Sequence, residues 1–227
     1  MKPEQIPFDL GHRAALGRED LWVSQANSGA VAWLDKYPDW PAPALVVYGP
    51  PASGKTHLAR VWQKTTAALD VTPENINDLR GINDFPLASI IDDAERFIGD
   101  IETETGLFHA YNRAKEEVAH LLLTAEHAPK EWNFTLPDLK SRLLAAPAVA
   151  ISAPDEQLMG IVLVKLFSDR QIFVPQEVVQ FIVSRIERSF EALRNVAEAV
   201  DKKALAEKRP VTVPLVREIL QAQGVLI

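Results

Sequence analysis

A short apolar run, ALVVY (44–48), passes directly into GPPASGKT (49–56), and no other stretch of the 227 residues limits the fold as strongly. The run has the length and β-branched content of a buried strand. The eight residues after it have the glycine and lysine spacing of a phosphate loop, whose backbone N–H groups face phosphate oxygens from a helix N-terminus. Gly49 and Gly54 permit the tight turn, and Pro50, Pro51, Ala52 and Ser53 complete it. Lys55 is placed to reach the β- and γ-phosphates, the Thr56 hydroxyl suits Mg²⁺, and His57 opens a helix expected to run to about residue 69. A strand before the loop and a helix after it separate this motif from a chance Gly/Pro turn. The fold class follows: α/β, a P-loop nucleotide-binding domain with a parallel sheet flanked by helices.

The remaining pattern agrees. Residues 88–91 (ASII), 120–124 (HLLLT) and 147–152 read as three further strands, and 108–117 as a helix between them. The β signals stop after Pro154, and helical patterns cover 155–167, 175–188, 190–206 and 214–223. Three parts are therefore expected: an extended arm over 1–20, broken by Pro3, Pro7, Gly11 and Gly17; an αβα nucleotide-binding domain over 21–154; and a small all-α domain over 155–227. The second strand ends in Asp92-Asp93, so Asp92 is the candidate to hold the metal, through water, and Asp93 to polarise an attacking water. Thr124-Ala-Glu126, at the end of the third strand, sits where a polar sensor residue commonly lies, with Glu126 at the sensor position. Arg142, in LKSRL (139–143), is either a solvated arginine at a helix end or a cation that reaches across an interface to stabilise charge on a phosphate.

Composition removes several classes. With no cysteine there is neither a disulfide scaffold nor a thiol metal site, and the histidines show no ligand spacing. A net charge of −7 argues against a protein that grips duplex DNA with its whole surface. No apolar run approaches a membrane span and the opening residues lack a signal-peptide layout, so a cytoplasmic location is expected. Trp33, Trp40, Trp62 and Trp132 are expected in or beside the core, and Lys202, Lys203, Lys208 and Arg209 on a solvated face or against DNA.

The order GPPASGKT, IIDDAE, LLLTAEHAP, DLKSRL and then a helical lid resembles the AAA+ ATPases of the DnaA initiator clade. Within that clade it is most similar to the Hda type, in its alphaproteobacterial form. The stretch GREDLWVSQANS (17–28) is similar to the clade's segment that lies against adenine, which implies nucleotide contacts from Leu21 and Val23. The resemblance implies ADP or ATP with Mg²⁺ as ligands, and DnaA and the DNA polymerase III β sliding clamp as partners, with DNA approached only through the clamp. On that pattern Gln5, Phe8 and Leu10 form a clamp-binding peptide; without it, the favoured reading is that Phe8 and Leu10 fold back on the core. Arg142 becomes the arginine finger offered in trans to ATP on DnaA, restraining re-initiation. The chain stops at Ile227 without room for a helix-turn-helix domain, which favours Hda over DnaA itself. Two departures are expected to keep intrinsic ATPase activity weak. Glu191 stands where the clade carries its lid arginine, with Arg194 one turn on as a substitute, and Glu126 replaces a shorter side chain. The alternatives are an ATPase motor or loader, or a clamp adaptor without an activating role. A nucleotide-dependent homodimer fits any of them.

Overall fold

The computed structural model describes residues 21–80 and 83–224. The proposed clamp peptide, Gln5, Phe8 and Leu10, lies outside them. Among the described residues five strands form one parallel sheet: β1 (Ala44–Tyr48), β2 (Leu69–Asp70), β3 (Ala88–Ile91), β4 (His120–Ala125) and β5 (Ala148–Ala150), in spatial order β2-β3-β4-β1-β5. The central strands are continuous apolar runs because helices cover both faces. Residues of β4 face β1 in the register Leu122–Leu45 and Thr124–Val47, and face β3 as Leu122–Ile90.

Side-chain alternation along these strands divides the core in two. Leu45, Val47, Ile90 and Leu122 point to a layer holding α1 (Ser28–Leu34), α2 (Lys55–Thr66) and the buried Trp40 and Trp62. Val46, Ile91, Leu121 and Leu123 point to the opposite layer, with α3 (Ile101–Glu116), α4 (Pro137–Ala145) and Trp132. Trp40 stacks on Trp62 with ring centroids 5.6 Å apart, and its indole N–H donates to the Trp33 carbonyl at 2.8 Å. The tryptophans expected in or near the core are there; Trp33 is half-buried at its rim.

After β5 the described chain is helical: α5 (Glu156–Ser168), α6 (Gln176–Val183), α7 (Phe190–Glu207) and α8 (Val213–Ala222). They close around their own core of Leu163, Phe167, Ile182, Leu193, Val196 and Leu215. Asp155 and Ser189 cap α5 and α7 through side-chain oxygens that accept from the N–H groups of Leu158 and Ala192.

Several elements depart from the sequence reading. α3 begins at Ile101, seven residues before the expected start, because Asp100 caps it by accepting from Thr103 N–H at 2.9 Å. The segment carrying Arg142 is a full helix, α4, started by Pro137 in its first turn. α6 ends at Val183 rather than near 188. α1 and the two-residue edge strand β2 lack a signal of sufficient length.

Candidate functional site

The phosphate loop joins β1 to α2 at the carboxyl edge of the sheet. Gly49 is required by close approach: a Cβ there would lie 2.1 Å from the Ile151 carbonyl oxygen. Gly54 is required by conformation, with φ of +99°, and a Cβ would come 2.9 Å from the Phe190 ring. Phe190 is the first residue of α7, and its N–H donates to the Ala52 carbonyl at 3.2 Å. The loop and the helical domain therefore touch directly. The Lys55 ammonium donates to the carbonyls of Gly49 and Pro50 at 2.7 and 2.9 Å. Burial lowers its pKa, against the opposing charges of Glu126, Asp92, Asp93 and Glu95.

Two cavities flank the loop. One, of about 400 Å³, lies between loop and lid, walled by Leu21, Trp22, Ile151, Leu158, Val162 and Phe190, with Ser53, Gly54, Thr56, His57 and Arg194 also reaching it. Its apolar walls and loop-side polar groups suit a nucleoside whose phosphates meet the loop. Arg194 lines this cavity from α7, whereas Glu191 does not. Leu21 lies at the wall; Val23 is 39% exposed and not among the lining residues, because the turn that Ser24 and Asn27 close turns it outward. Trp22 takes part in its place. The second cavity, on the other side of Lys55, is lined by Pro51, Thr56, Asp92, Asp93, Thr124 and Glu126.

In that second cavity the Thr56 hydroxyl lies 3.2 Å from Asp92 Oδ1, so the loop and the acidic pair are in contact across 36 residues of sequence. The Thr124 hydroxyl donates to the same oxygen at 2.5 Å and accepts from Asp93 N–H at 2.9 Å. Asp93 has the left-handed backbone, φ +58°. The exposed Glu126 contributes negative field rather than a hydrogen bond to this cluster, and its N–H donates to Glu95. The donor set fits a hard, oxygen-loving cation shared with phosphates: one hydroxyl and one carboxylate, with Asp93 and Glu126 nearby. The loop also fits a phosphate, since the buried Ser53 hydroxyl has no hydrogen-bond partner among the described residues.

Arg142 lines neither cavity. Its Nε donates to Asn112 Oδ1 at 2.8 Å, its Nη1 to the Asp138 carbonyl at 3.1 Å, and the guanidinium lies over the Phe108 ring at 4.3 Å. Half-buried, it is held on α3 rather than against the lid. Glu104, fully buried on the same helix, accepts from the N–H groups of Gly99, Thr135 and Leu136 and so fixes the start of α4. Sequence reasoning found Arg142 but neither Phe108, Asn112 and Glu104 nor the task of Thr124, all of which depend on contacts about 30 residues distant. In the basic cluster, Lys203 and Arg209 are paired with Glu207 and Glu218 between α7 and α8, as a solvated face requires.

A parallel sheet in this strand order, a phosphate loop after its β1 strand, an acidic pair after β3 and a helical lid against the loop define a P-loop protein of the AAA+ class. Residues 160–220 match the family model "Hda, lid domain". An uncharacterized protein of Haemophilus influenzae is 28% identical over 193 residues, covering 80% of this chain and 83% of that one. Domain III of the DnaA replication initiation protein of Thermotoga maritima superposes with a TM-score of 0.76 at 21% identity, over 88% of this chain and 93% of that one. AMPPCP-bound DnaA of Aquifex aeolicus does so with 0.69 at 15%, over 86% and 67%. Residues 160–220 are thus similar to the lid domain of Hda, and the chain as a whole shares the fold of DnaA domain III. No helix among its described residues is long and apolar enough to cross a membrane.

Proposed function

We propose that this chain is a regulator of replication initiation that binds ADP or ATP with Mg²⁺ between sheet and lid and activates ATP hydrolysis on DnaA in trans. The observation that carries the reading is the position of Arg142, tethered by Asn112 and Phe108 on an edge that serves neither of the chain's own cavities. A cation fixed in that way is preorganised for a phosphate bound elsewhere. On the partner's ATP, water attacks the γ-phosphorus, the bond to the β-bridging oxygen breaks, and ADP and phosphate leave. The guanidinium neutralises charge on the transferring group, an effect of about 10³–10⁵ in rate in related chemistry. Gln5, Phe8 and Leu10 hold the chain on the sliding clamp, so that activation follows replication.

In the chain's own site, Lys55 and the loop N–H groups hold phosphates, Thr56 and Asp92 hold the metal, and Arg194 takes the place of the lid arginine. Mg²⁺ supplies charge neutralisation at the phosphates. The site sets the lid's conformation more than it turns over ATP, since Glu126 and Glu191 replace the residues best suited to catalysis.

The deciding experiment follows hydrolysis of DnaA-bound ATP with the clamp loaded on DNA. Addition of the wild-type chain is expected to accelerate it, and Arg142→Ala to abolish the acceleration while leaving nucleotide binding by the chain itself intact. Undiminished acceleration by Arg142→Ala would remove the finger. Clamp retention unchanged by a Gln5→Ala/Phe8→Ala double variant would remove the tether.

A further inference from the structure

Beside the acidic pair lies a buried hydroxyl that belongs neither to the phosphate loop nor to the pair itself. Thr124 is 2% exposed at the carboxyl end of β4, in a strand otherwise made of apolar residues and His120. A hydroxyl in such a place is costly unless it is hydrogen-bonded. Its bonds go to the site: the proton to Asp92 Oδ1, a lone pair to the N–H of Asp93. Ser89, on the neighbouring β3, is a useful contrast, being fully buried with a hydroxyl that has no hydrogen-bond partner among the described residues. Burial of a small hydroxyl in this sheet therefore does not by itself create such contacts.

We infer that Thr124 is a positioning residue for the metal site, aligning the Asp92 carboxylate and fixing the turn at Asp93. The inference rests on the reading of Thr56 and Asp92 as the metal-holding pair. Two hydroxyls, from Thr56 and Thr124, converge on Asp92 Oδ1 and restrict rotation of the carboxylate. The second bond acts on the backbone. Asp93 has a left-handed φ of +58°, which a residue with a Cβ keeps only when its surroundings hold it there. The Thr124 oxygen is the acceptor for its N–H. The next residue, Ala125, accepts from Gly49 N–H at 3.1 Å. Consecutive residues at the end of β4 thus set the acidic pair and the start of the phosphate loop at a common height. Supporting groups of this kind typically alter metal affinity by about 10–100-fold when removed.

The test is ADP binding by isothermal titration, with saturating Mg²⁺ and with EDTA, on the full chain. Thr124→Val keeps the branched shape and loses both hydrogen bonds, and Thr124→Ser restores the hydroxyl. For Thr124→Val the expected result is an affinity lowered about 10–100-fold in Mg²⁺ and unchanged in EDTA, with Thr124→Ser within about threefold of wild type. Thr124→Ala is the second variant and should behave as Val does, should Val fail to give the wild-type near-ultraviolet circular dichroism. Equal losses in Mg²⁺ and EDTA would overturn the inference, because the hydroxyl would then support the loop in general. So would full Mg²⁺-dependent affinity in Thr124→Val alongside its loss in Asp92→Ala. If Asp92→Ala itself leaves the Mg²⁺ dependence intact, the assignment of the metal-holding pair falls and takes the role of Thr124 with it.

Discussion

Replacing Glu104 by glutamine is the most demanding test of how α4 is held. The carboxylate is fully buried, and each oxygen has two N–H donors within reach. Oε1 accepts from Gly99 and Thr135, both at 2.8 Å; Oε2 accepts from Thr135 at 3.0 Å and Leu136 at 2.6 Å. Glutamine must put an NH₂ group at one of these two places, and neither amide orientation avoids donor against donor. With the NH₂ at the Oε2 place, Leu136 N–H loses its acceptor; with the opposite orientation, Gly99 N–H does. Thr135 retains one partner either way. One stranded backbone donor and one stranded side-chain donor, at about 1–3 kcal/mol each, give a loss of about 2–6 kcal/mol. At about 2–4 °C per kcal/mol for a chain of this size, that is a melting temperature lower by about 4–24 °C. Glu102→Gln, on the exposed side of the same helix, is the control and should stay within about 0.5 kcal/mol. Thermal and urea unfolding followed at 222 nm measure both. If Glu104→Gln melts within about 2 °C of wild type, the carboxylate does not fix the start of α4, and the positioning of Arg142 needs another explanation.

Two further outcomes are expected. Gly54→Ala forces a left-handed backbone on a residue with a Cβ and drives that Cβ into Phe190; its destabilisation should be smaller in a Phe190→Ala background, which removes the clash and leaves only the backbone term, and additive melting shifts would refute the contact. His120 is packed edge-on against Tyr37 and Trp40, and its burial lowers its pKa, opposed by the Pro38 carbonyl and Asp39. Its stability contribution is therefore complete above about pH 6.5 and declines at lower pH, as the unfolded chain takes up a proton more readily than the folded chain. His120→Gln should flatten the melting-temperature profile below about pH 6.5, and an unchanged slope would show that another group sets it.

Much of the fold was legible because its signals are local. The strands β1, β3 and β4 are uninterrupted apolar runs, and the loop motif lies between a strand and a helix, so periodicity and spacing were sufficient. What escaped is non-local or too short. The first turns of α3 were obscured by Gly106, which the helix carries because a Cβ there would come 3.0 Å from Ile76 and Asn77. β2 is two residues long and exists only by pairing with β3. The expected extension of α6 to 188 failed because the chain leaves the helix after Val183, and Arg188 instead pairs with Glu156 of α5 at 2.8 Å. Within the site, residue types named the loop, the acidic pair and the candidate finger. Side-chain direction did not follow from them: Val23 faces outward, Arg194 and not Glu191 meets the cavity, and the partners of Arg142 lie a whole strand and helix earlier.

The bond from Phe190 N–H to the Ala52 carbonyl ties the first residue of α7 to the phosphate loop, so the helix axis is a pointer pivoted on that peptide. An eighteen-residue helix is about 27 Å long, so a tilt of about 5° at that pivot moves its far end by about 2 Å. The ion-paired tip formed by Lys203, Glu207, Arg209 and Glu218 lies at the far end of that lever, where any tilt at the loop would be largest.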